Sequence, residues 1–141
     1  MTYENIRLQA YEANMKIPEN HLALYTWGNV SAFDKDKGVF AIKPSGVPYP
    51  ELTPESMVII DLDGNKVDGS MNPSSDTPTH AVLYKEFAVN QGKEVGGIIH
   101  THSTFAVSWA QAVKSVPLLE LRTQTIFKRQ FPAPLTSVKK L

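Results

Sequence analysis

The chain has 141 residues, of which 42% are hydrophobic and 20% charged, values that are ordinary for one soluble globular domain. Fourteen basic residues balance fourteen acidic ones, which excludes a strongly basic nucleic-acid-binding protein and an acidic disordered chain. Because the sequence contains no cysteine, a disulfide framework, a zinc–thiolate finger and a cysteine nucleophile are excluded as well. The N-terminal segment carries acidic residues and has no long apolar run, so we expect neither a signal peptide nor a membrane anchor, and a cytoplasmic location.

The first half of the chain predicts one helix followed by strands. Apolar residues at spacings of three and four between Tyr3 and Lys16 predict an amphipathic helix that stops before Pro18. The dipeptide Asp63-Gly64, which follows an apolar β-branched run, predicts a hairpin turn. Three segments predict strands, the first of them interrupted by glycine and asparagine: 22–32, 38–43 and 57–62.

The second half of the chain predicts helices that alternate with a strand. Proline in the first turn favours a helix over 78–90, with Asp76 or Thr77 as its cap. The apolar segment 95–101 is rich in isoleucine and predicts a central strand, and a last helix follows over 105–113. Strands interleaved with helices predict an α/β layered domain with some antiparallel pairing.

The motif His100-Thr101-His102 follows the apolar strand and is the sharpest chemical signal in the chain. Side chains at positions i and i+2 of a strand share one face, so both imidazoles are able to reach one metal ion. Nitrogen ligands suit zinc, which needs at least one further protein ligand. The alternative is a pair of ordinary histidines with local hydrogen bonds. Candidates for a further ligand are His21, His80, Asp76 and other carboxylates.

Three loops carry residues that suit an anion. The segment Ser74-Ser75-Asp76-Thr77 lies where a loop enters a helix, a place that offers free backbone N–H groups. Gly28-Asn29 and Pro44-Ser45-Gly46 combine glycine with hydrogen-bonding side chains, and Lys43 lies beside the second of these loops. Helix capping and ordinary turns use the same residues. Together with the paired histidines, the loops favour a phosphorylated small molecule bound near a metal.

Four sequence blocks occur in one order along the chain: Trp27-Gly28-Asn29-Val30-Ser31, Lys43-Pro44-Ser45-Gly46-Val47, Pro73-Ser74-Ser75-Asp76-Thr77-Pro78-Thr79-His80 and His100-Thr101-His102-Ser103. Together these blocks resemble the class II aldolase family, and within it the L-ribulose-5-phosphate 4-epimerases. The resemblance covers residues 3 to 117.

The resemblance implies a three-layer α/β/α domain with a mixed sheet over residues 1–117, incomplete at its C-terminus, with an aberrant or disordered tail over 118–141. It implies a homotetramer with sites between subunits, no nucleic-acid or membrane partner, and a phosphorylated pentulose as substrate. It also implies a Zn²⁺ ion held by Asp76, His100 and His102. The implied substrate contacts, mainly to phosphate, are Gly28, Asn29, Ser45, Gly46, Ser74 and Ser75.

The activity implied by the resemblance is that of an isomerase, the zinc-dependent conversion of L-ribulose 5-phosphate to D-xylulose 5-phosphate. Retro-aldol cleavage of the C3–C4 bond would release glycolaldehyde phosphate, which would rotate and re-add through its other face, inverting C4. The sequence leaves two alternatives, which are a non-catalytic truncated remnant and a fuculose-phosphate-type class II aldolase.

The C-terminal part of the chain departs from the family pattern. Family members carry a Gly-Thr-Thr-His-Ala-Asp segment whose aspartate is an acid/base, then a third zinc histidine and a catalytic tyrosine. None of these is found here in register, so the catalytic residues stay unknown and we expect the 141-residue chain to have little or no activity. Codons for Leu119–Thr125 exist that would encode that hexapeptide in a shifted frame, which makes a frameshift a hypothesis for the coding DNA to decide.

Overall fold

The computed structural model describes residues 2–114, which form two units, one reaching to Thr101 and the other starting at His102. In the second unit, helix α3 (Thr104–Gln111) has Ser103 as its cap, with the hydroxyl accepting from the Ala106 N–H. Within these residues, no helix combines the length and the apolar character that crossing a membrane requires. The predicted domain boundary at 117 and the predicted tail over 118–141 lie outside the described residues.

The first unit contains a five-stranded sheet with the strand order β4-β3-β2-β1-β5. The sheet together with the helices of this unit confirms the predicted α/β class. Every strand pairing among the described residues is antiparallel, so the parallel pairing expected for a mixed sheet is not among them. The strand predicted to be central is β5, which pairs with β1 and has no second strand partner among residues 2–114. The strands are β1 (Asn29–Asp34), β2 (Val39–Ile42), β3 (Val58–Asp61), β4 (Lys66–Asp68) and β5 (Gly97–His100).

Helices cover both faces of the sheet, which gives the predicted three layers. Successive strand residues point to opposite faces, and in β2 Ala41 packs with helix α1 (Glu4–Glu19) while Phe40 packs with the helix on the other side. That second helix begins as α2 (Thr77–Leu83) and continues as a π-helical segment (Tyr84–Asn90). The start of β1, the end of β5 and the start of α2 therefore meet at one end of the sheet.

Two predicted boundaries are wrong for reasons of packing. Helix α1 continues through Pro18 to Glu19, because proline in the last turn removes only one hydrogen bond and the preceding Ile17 is fully buried. The strand predicted over 22–32 starts only at Asn29. A loop precedes it, with left-handed backbone at His21 (φ 54°) and Tyr25 (φ 54°), so local apolar patterning here does not mark a strand.

A buried side chain on α1 fixes the start of β1. The Asn14 Nδ2 donates to the Val30 carbonyl at 2.8 Å, and the Asn14 Oδ1 accepts from the Val30 N–H at 2.8 Å. A second donor bond from Nδ2 reaches the Ala10 carbonyl at 2.7 Å. The amide of Asn14 thus takes the place of a strand partner for Val30, one residue after Asn29.

Candidate functional site

Residues from three segments meet at this end of the sheet. The antiparallel register pairs Asn29 with His100 across β1 and β5. The Asn29 Nδ2 donates to the Asp76 Oδ2 at 2.6 Å and to the Ser74 Oγ at 3.2 Å. The same Asp76 Oδ2 lies 3.8 Å from the His100 Nε2. Four side chains that the sequence nominated are therefore in direct contact or close to it.

The carboxylate of Asp76 does not act as a helix cap. Asp76 occupies the N-cap position of α2, but its side chain makes no capping hydrogen bond. The Ser74 Oγ accepts from the Asp76 N–H at 3.2 Å, and the Thr77 hydroxyl donates to the Ser74 carbonyl at 2.7 Å, so the turn is held by its serine and threonine. The Asp76 carboxylate faces Asn29 and His100 instead, which favours a ligand-binding role over capping.

The Asp76 and His100 side chains fit two positions around a divalent metal. Ligand atoms about 2.1 Å from a tetrahedral zinc ion lie about 3.4 Å apart, close to the observed separation of 3.8 Å. The Asn29 Oδ1 is buried and has no hydrogen-bond partner within the described residues, so the site also holds an acceptor that protein groups leave unused. Among residues 2–114, no cluster of three or more His, Asp or Glu side chains is arranged to hold a metal.

The predicted place of His102 in the metal site stays a prediction. Strand β5 ends at His100, so the expectation that both imidazoles project from one strand face does not extend to His102. His102 belongs to the second unit of the described residues.

His80, another candidate metal ligand from the sequence, lies in the core. Its side chain is buried, and its Nδ1 shares a 2.7 Å hydrogen bond with the Ser31 Oγ. Burial lowers the pKa of His80 from 6.5 to about 4, while the negative charge of Asp76 acts in the opposite direction. His80 is therefore a neutral, structurally anchored imidazole at neutral pH.

The two predicted serine loops are joined through their backbones. The Ser45 N–H donates to the Asn72 carbonyl at 2.9 Å, and the Ser74 N–H donates to the Lys43 carbonyl at 3.1 Å. These bonds bring the loop that contains Ser45 and Gly46 next to the loop that contains Ser74 and Ser75. Ser45, Gly46 and Ser75 are exposed, so their polar groups are accessible to a ligand.

Lys43, which the sequence places beside the second anion loop but not among the implied substrate contacts, is buried in this region. It is only 2% exposed, and its Nζ donates to the Thr26 carbonyl at 3.2 Å and to the Pro44 carbonyl at 3.5 Å. Its ammonium also lies 5.0 Å from the centroid of the Tyr49 ring. Burial lowers the pKa of Lys43 from 10.5. No carboxylate in the described residues pairs with this ammonium, so the cation is buried among carbonyl oxygens and the Tyr49 ring.

Tyr49 holds in place the loop that contains Gly28 and Asn29, here called the glycine loop, next to the Lys43 ammonium. Its hydroxyl donates to the Trp27 carbonyl at 2.8 Å and to the Gly28 carbonyl at 3.1 Å. Burial raises the pKa of Tyr49 to about 12, so the hydroxyl stays protonated and remains a donor. No sequence motif marked Tyr49, because its role depends on a contact across 21 residues.

The Gly28→Ala substitution tests how tightly this loop is packed. Gly28 has a φ of +76°, and an added Cβ would lie 3.1 Å from the His100 carbonyl oxygen and 3.1 Å from the Ala23 Cβ. Gly46 has a similar φ of +72° but open space around it, so Gly46→Ala isolates the backbone strain. By chemical denaturation we expect a loss of about 1 kcal/mol for Gly46→Ala and about 2 kcal/mol or more for Gly28→Ala. Equal losses would contradict the packing argument.

Known proteins resemble this chain in sequence and in fold. L-ribulose-5-phosphate 4-epimerase UlaF of Salmonella paratyphi C (strain RKS4594) is 45% identical over 116 residues, which are 82% of this chain and 49% of that protein. A structure of L-fuculose 1-phosphate aldolase matches with a TM-score of 0.72 and 31% identity, covering 84% of this chain and 53% of the other. The chain spans about half the length of the curated relatives that it matches.

A more distant structure supports the fold alone. L-fuculose-1-phosphate aldolase from Thermus thermophilus matches with a TM-score of 0.69 at 23% identity, covering 94% of this chain and 63% of that one.

The sequence profile of the class II aldolase and adducin N-terminal domain matches residues 9–135, nine-tenths of the chain. This match spans the sheet, most of helix α1, all of α2 and the cluster around Asp76, and the chain therefore belongs to the class II aldolase family.

Proposed function

We propose that this chain supplies the metal-binding and phosphate-binding part of an L-ribulose-5-phosphate 4-epimerase. The observation that carries the proposal is the Asp76 Oδ2, which lies 2.6 Å from the Asn29 amide nitrogen and 3.8 Å from the His100 imidazole. An oxygen and a nitrogen donor next to two serine loops suit a divalent cation beside a phosphate. The 45% identity to a named epimerase favours this substrate over others in the family.

In this proposal Asp76, His100 and His102 would hold Zn²⁺, which when bound would supply Lewis-acid polarisation of the sugar oxygens. The two serine loops bind the phosphate through the hydroxyl groups of Ser45, Ser74 and Ser75 and the backbone N–H groups of Gly46 and Ser75. Gly28 and Asn29 in the glycine loop also contact the substrate. The epimerisation breaks the C3–C4 bond and re-forms it on the other face of the aldehyde, so no redox cofactor is consumed.

The family acid/base aspartate and tyrosine are not found in register in this sequence, so the catalytic acid and base stay unassigned. We also propose that the enzyme works in the cytoplasm as a homo-oligomer, as expected for the family. The second candidate function is an L-fuculose-phosphate-type aldolase, which the structural match at 31% identity favours.

Metal binding tests the central observation. Isothermal titration of the 141-residue chain with Zn²⁺ is expected to detect a site that Asp76→Asn weakens about tenfold or more, because the amide retains an oxygen but lacks the negative charge. His21→Asn is the matched control. His21 is exposed and has left-handed backbone, which asparagine tolerates, so this histidine loss is expected to leave the affinity unchanged.

Turnover separates the two candidate reactions. We expect the purified chain to convert L-ribulose 5-phosphate to D-xylulose 5-phosphate very slowly or not at all, because the family acid/base groups are missing. Rapid conversion would contradict that expectation and support the epimerase directly. Release of dihydroxyacetone phosphate from L-fuculose 1-phosphate would support the aldolase instead.

A further inference from the structure

A buried polar cluster lies behind the Asp76 site and has no part in the chemistry proposed above. It consists of Ser31, His80 and Tyr84, which are 0%, 1% and 0% exposed. The Ser31 Oγ lies 2.7 Å from the His80 Nδ1 and 2.7 Å from the Tyr84 hydroxyl, which also donates to the Ser31 carbonyl at 3.1 Å. Polar groups in a core are costly unless they are fully hydrogen-bonded, and a satisfied network fixes one arrangement of the elements it joins.

The cluster joins the same two elements that the site joins. Ser31 follows Asn29 by two residues, so both side chains lie on one face of β1. His80 follows Asp76 by four residues, one turn along α2, and the His80 N–H donates to the Asp76 carbonyl at 3.1 Å. Ser31 and His80 therefore form a second contact between β1 and α2, two residues further along β1 and one helical turn further along α2 than the contact between Asn29 and Asp76.

Tyr84 anchors this contact in the core. Its ring stacks on Phe33 with 4.6 Å between centroids and lies 5.2 Å from the Phe40 ring. The helix changes from α to π at Tyr84, a local geometry that is uncommon in proteins and often found near functional sites. The aromatic packing thus fixes the hydroxyl that Ser31 contacts.

We propose that Ser31, His80 and Tyr84 form a positioning cluster that sets the spacing between β1 and α2 and so holds the Asp76 carboxylate near Asn29 and His100. The inference rests on the proposed function in one respect, since it takes Asp76 and His100 to bind the metal. The three residues act through Asp76 and do not themselves touch the substrate.

The test uses the 141-residue chain with Ser31→Ala and Tyr84→Phe, which remove one hydroxyl each, and Tyr84→Phe keeps the aromatic packing. Ile60→Val is the matched control, because Ile60 is a fully buried residue of the same core that belongs to β3. Zn²⁺ affinity is measured by competition with a chromophoric chelator, and stability by chemical denaturation. We expect both cluster variants to bind Zn²⁺ about tenfold more weakly, and Ile60→Val to lose stability at unchanged affinity.

Lower stability with unchanged Zn²⁺ affinity in both cluster variants would overturn the proposal. A second readout needs no metal. In crystal structures of the metal-free chain, the distance between the Asp76 Oδ2 and the His100 Nε2 is expected to be longer in Tyr84→Phe than in the wild type, and an unchanged distance would also overturn the proposal. If the wild type binds no Zn²⁺, the metal part of the proposed function fails, and the crystallographic distance alone decides the positioning role.

Discussion

Asn14→Leu is expected to lower the free energy of unfolding by about 3 kcal/mol. The substitution keeps the size of the side chain but leaves the buried Val30 N–H and carbonyl without the partners that Asn14 supplies at 2.8 Å each. Each buried backbone group left unsatisfied costs about 1–3 kcal/mol. The measurement is urea denaturation followed by circular dichroism.

Asn20→Leu is the control for this first prediction. Asn20 ends the same helix, is exposed, and donates to the Lys16 carbonyl at 2.8 Å. Because water replaces that bond when it is lost, we expect a change of about 0.5 kcal/mol or less. Similar losses for Asn14→Leu and Asn20→Leu would mean that the amide of Asn14 does not fix β1.

Local signals predicted those parts of the sheet that form between neighbours in sequence. The apolar, β-branched runs of β2 and β3 were predicted within two residues of their ends. The turn at Asp63-Gly64 forms between β3 and β4, where the Asp61 carboxylate accepts from the Asp63 and Asn65 N–H groups. All of these contacts span a few residues, so the sequence pattern contains the information that determines them.

Local signals failed where a distant contact decides the conformation. Leu22 and Leu24 gave the loop before β1 a strand-like pattern, yet both are exposed, at 41% and 62%. The position of Asn14 at the start of β1 could not be predicted either, because an asparagine within a helix has no local pattern that distinguishes a strand contact from an exposed side chain. Pairing of α1 with β1 across 16 residues determines that role.

The candidate site also combines features that the sequence predicts with features that only distant contacts determine. Residue chemistry nominated Asp76 and His100, and the structure places them 3.8 Å apart. The pairing of Asn29 with His100, however, depends on the register between β1 and β5, which are far apart in sequence. The burial of Lys43 was also beyond sequence reasoning, since a lysine before Pro-Ser-Gly looks like an exposed turn residue. Lys43 extends the buried face of β2 instead.

Lys43→Met is expected to weaken binding of inorganic phosphate to the 141-residue chain about thirtyfold. The Lys43 ammonium has carbonyl oxygens and the Tyr49 ring as its neighbours, with no carboxylate partner in the described residues, so its positive charge is not neutralised and attracts an anion at the adjacent loop that contains Ser45. Two opposite unit charges about 8 Å apart attract each other by about 2 kcal/mol at an effective dielectric constant of about 20. Equilibrium dialysis with ³²P-phosphate measures the affinity. Lys35→Met, which removes an exposed lysine, is expected to leave it unchanged.

The pH dependence and the stability of Lys43→Met make this prediction specific. Because burial lowers the pKa of Lys43, phosphate binding to the wild type is expected to fall with rising pH before an ordinary lysine at 10.5 would lose its proton. Between the lowered pKa and 10.5 the unfolded chain holds more protons at this residue than the folded chain, so this residue makes the free energy of unfolding rise with pH. Methionine removes that contribution and the cost of burying the charge, so we expect the variant to be at least as stable as the wild type. A variant that binds phosphate as tightly as the wild type would show that Lys43 is only a structural residue.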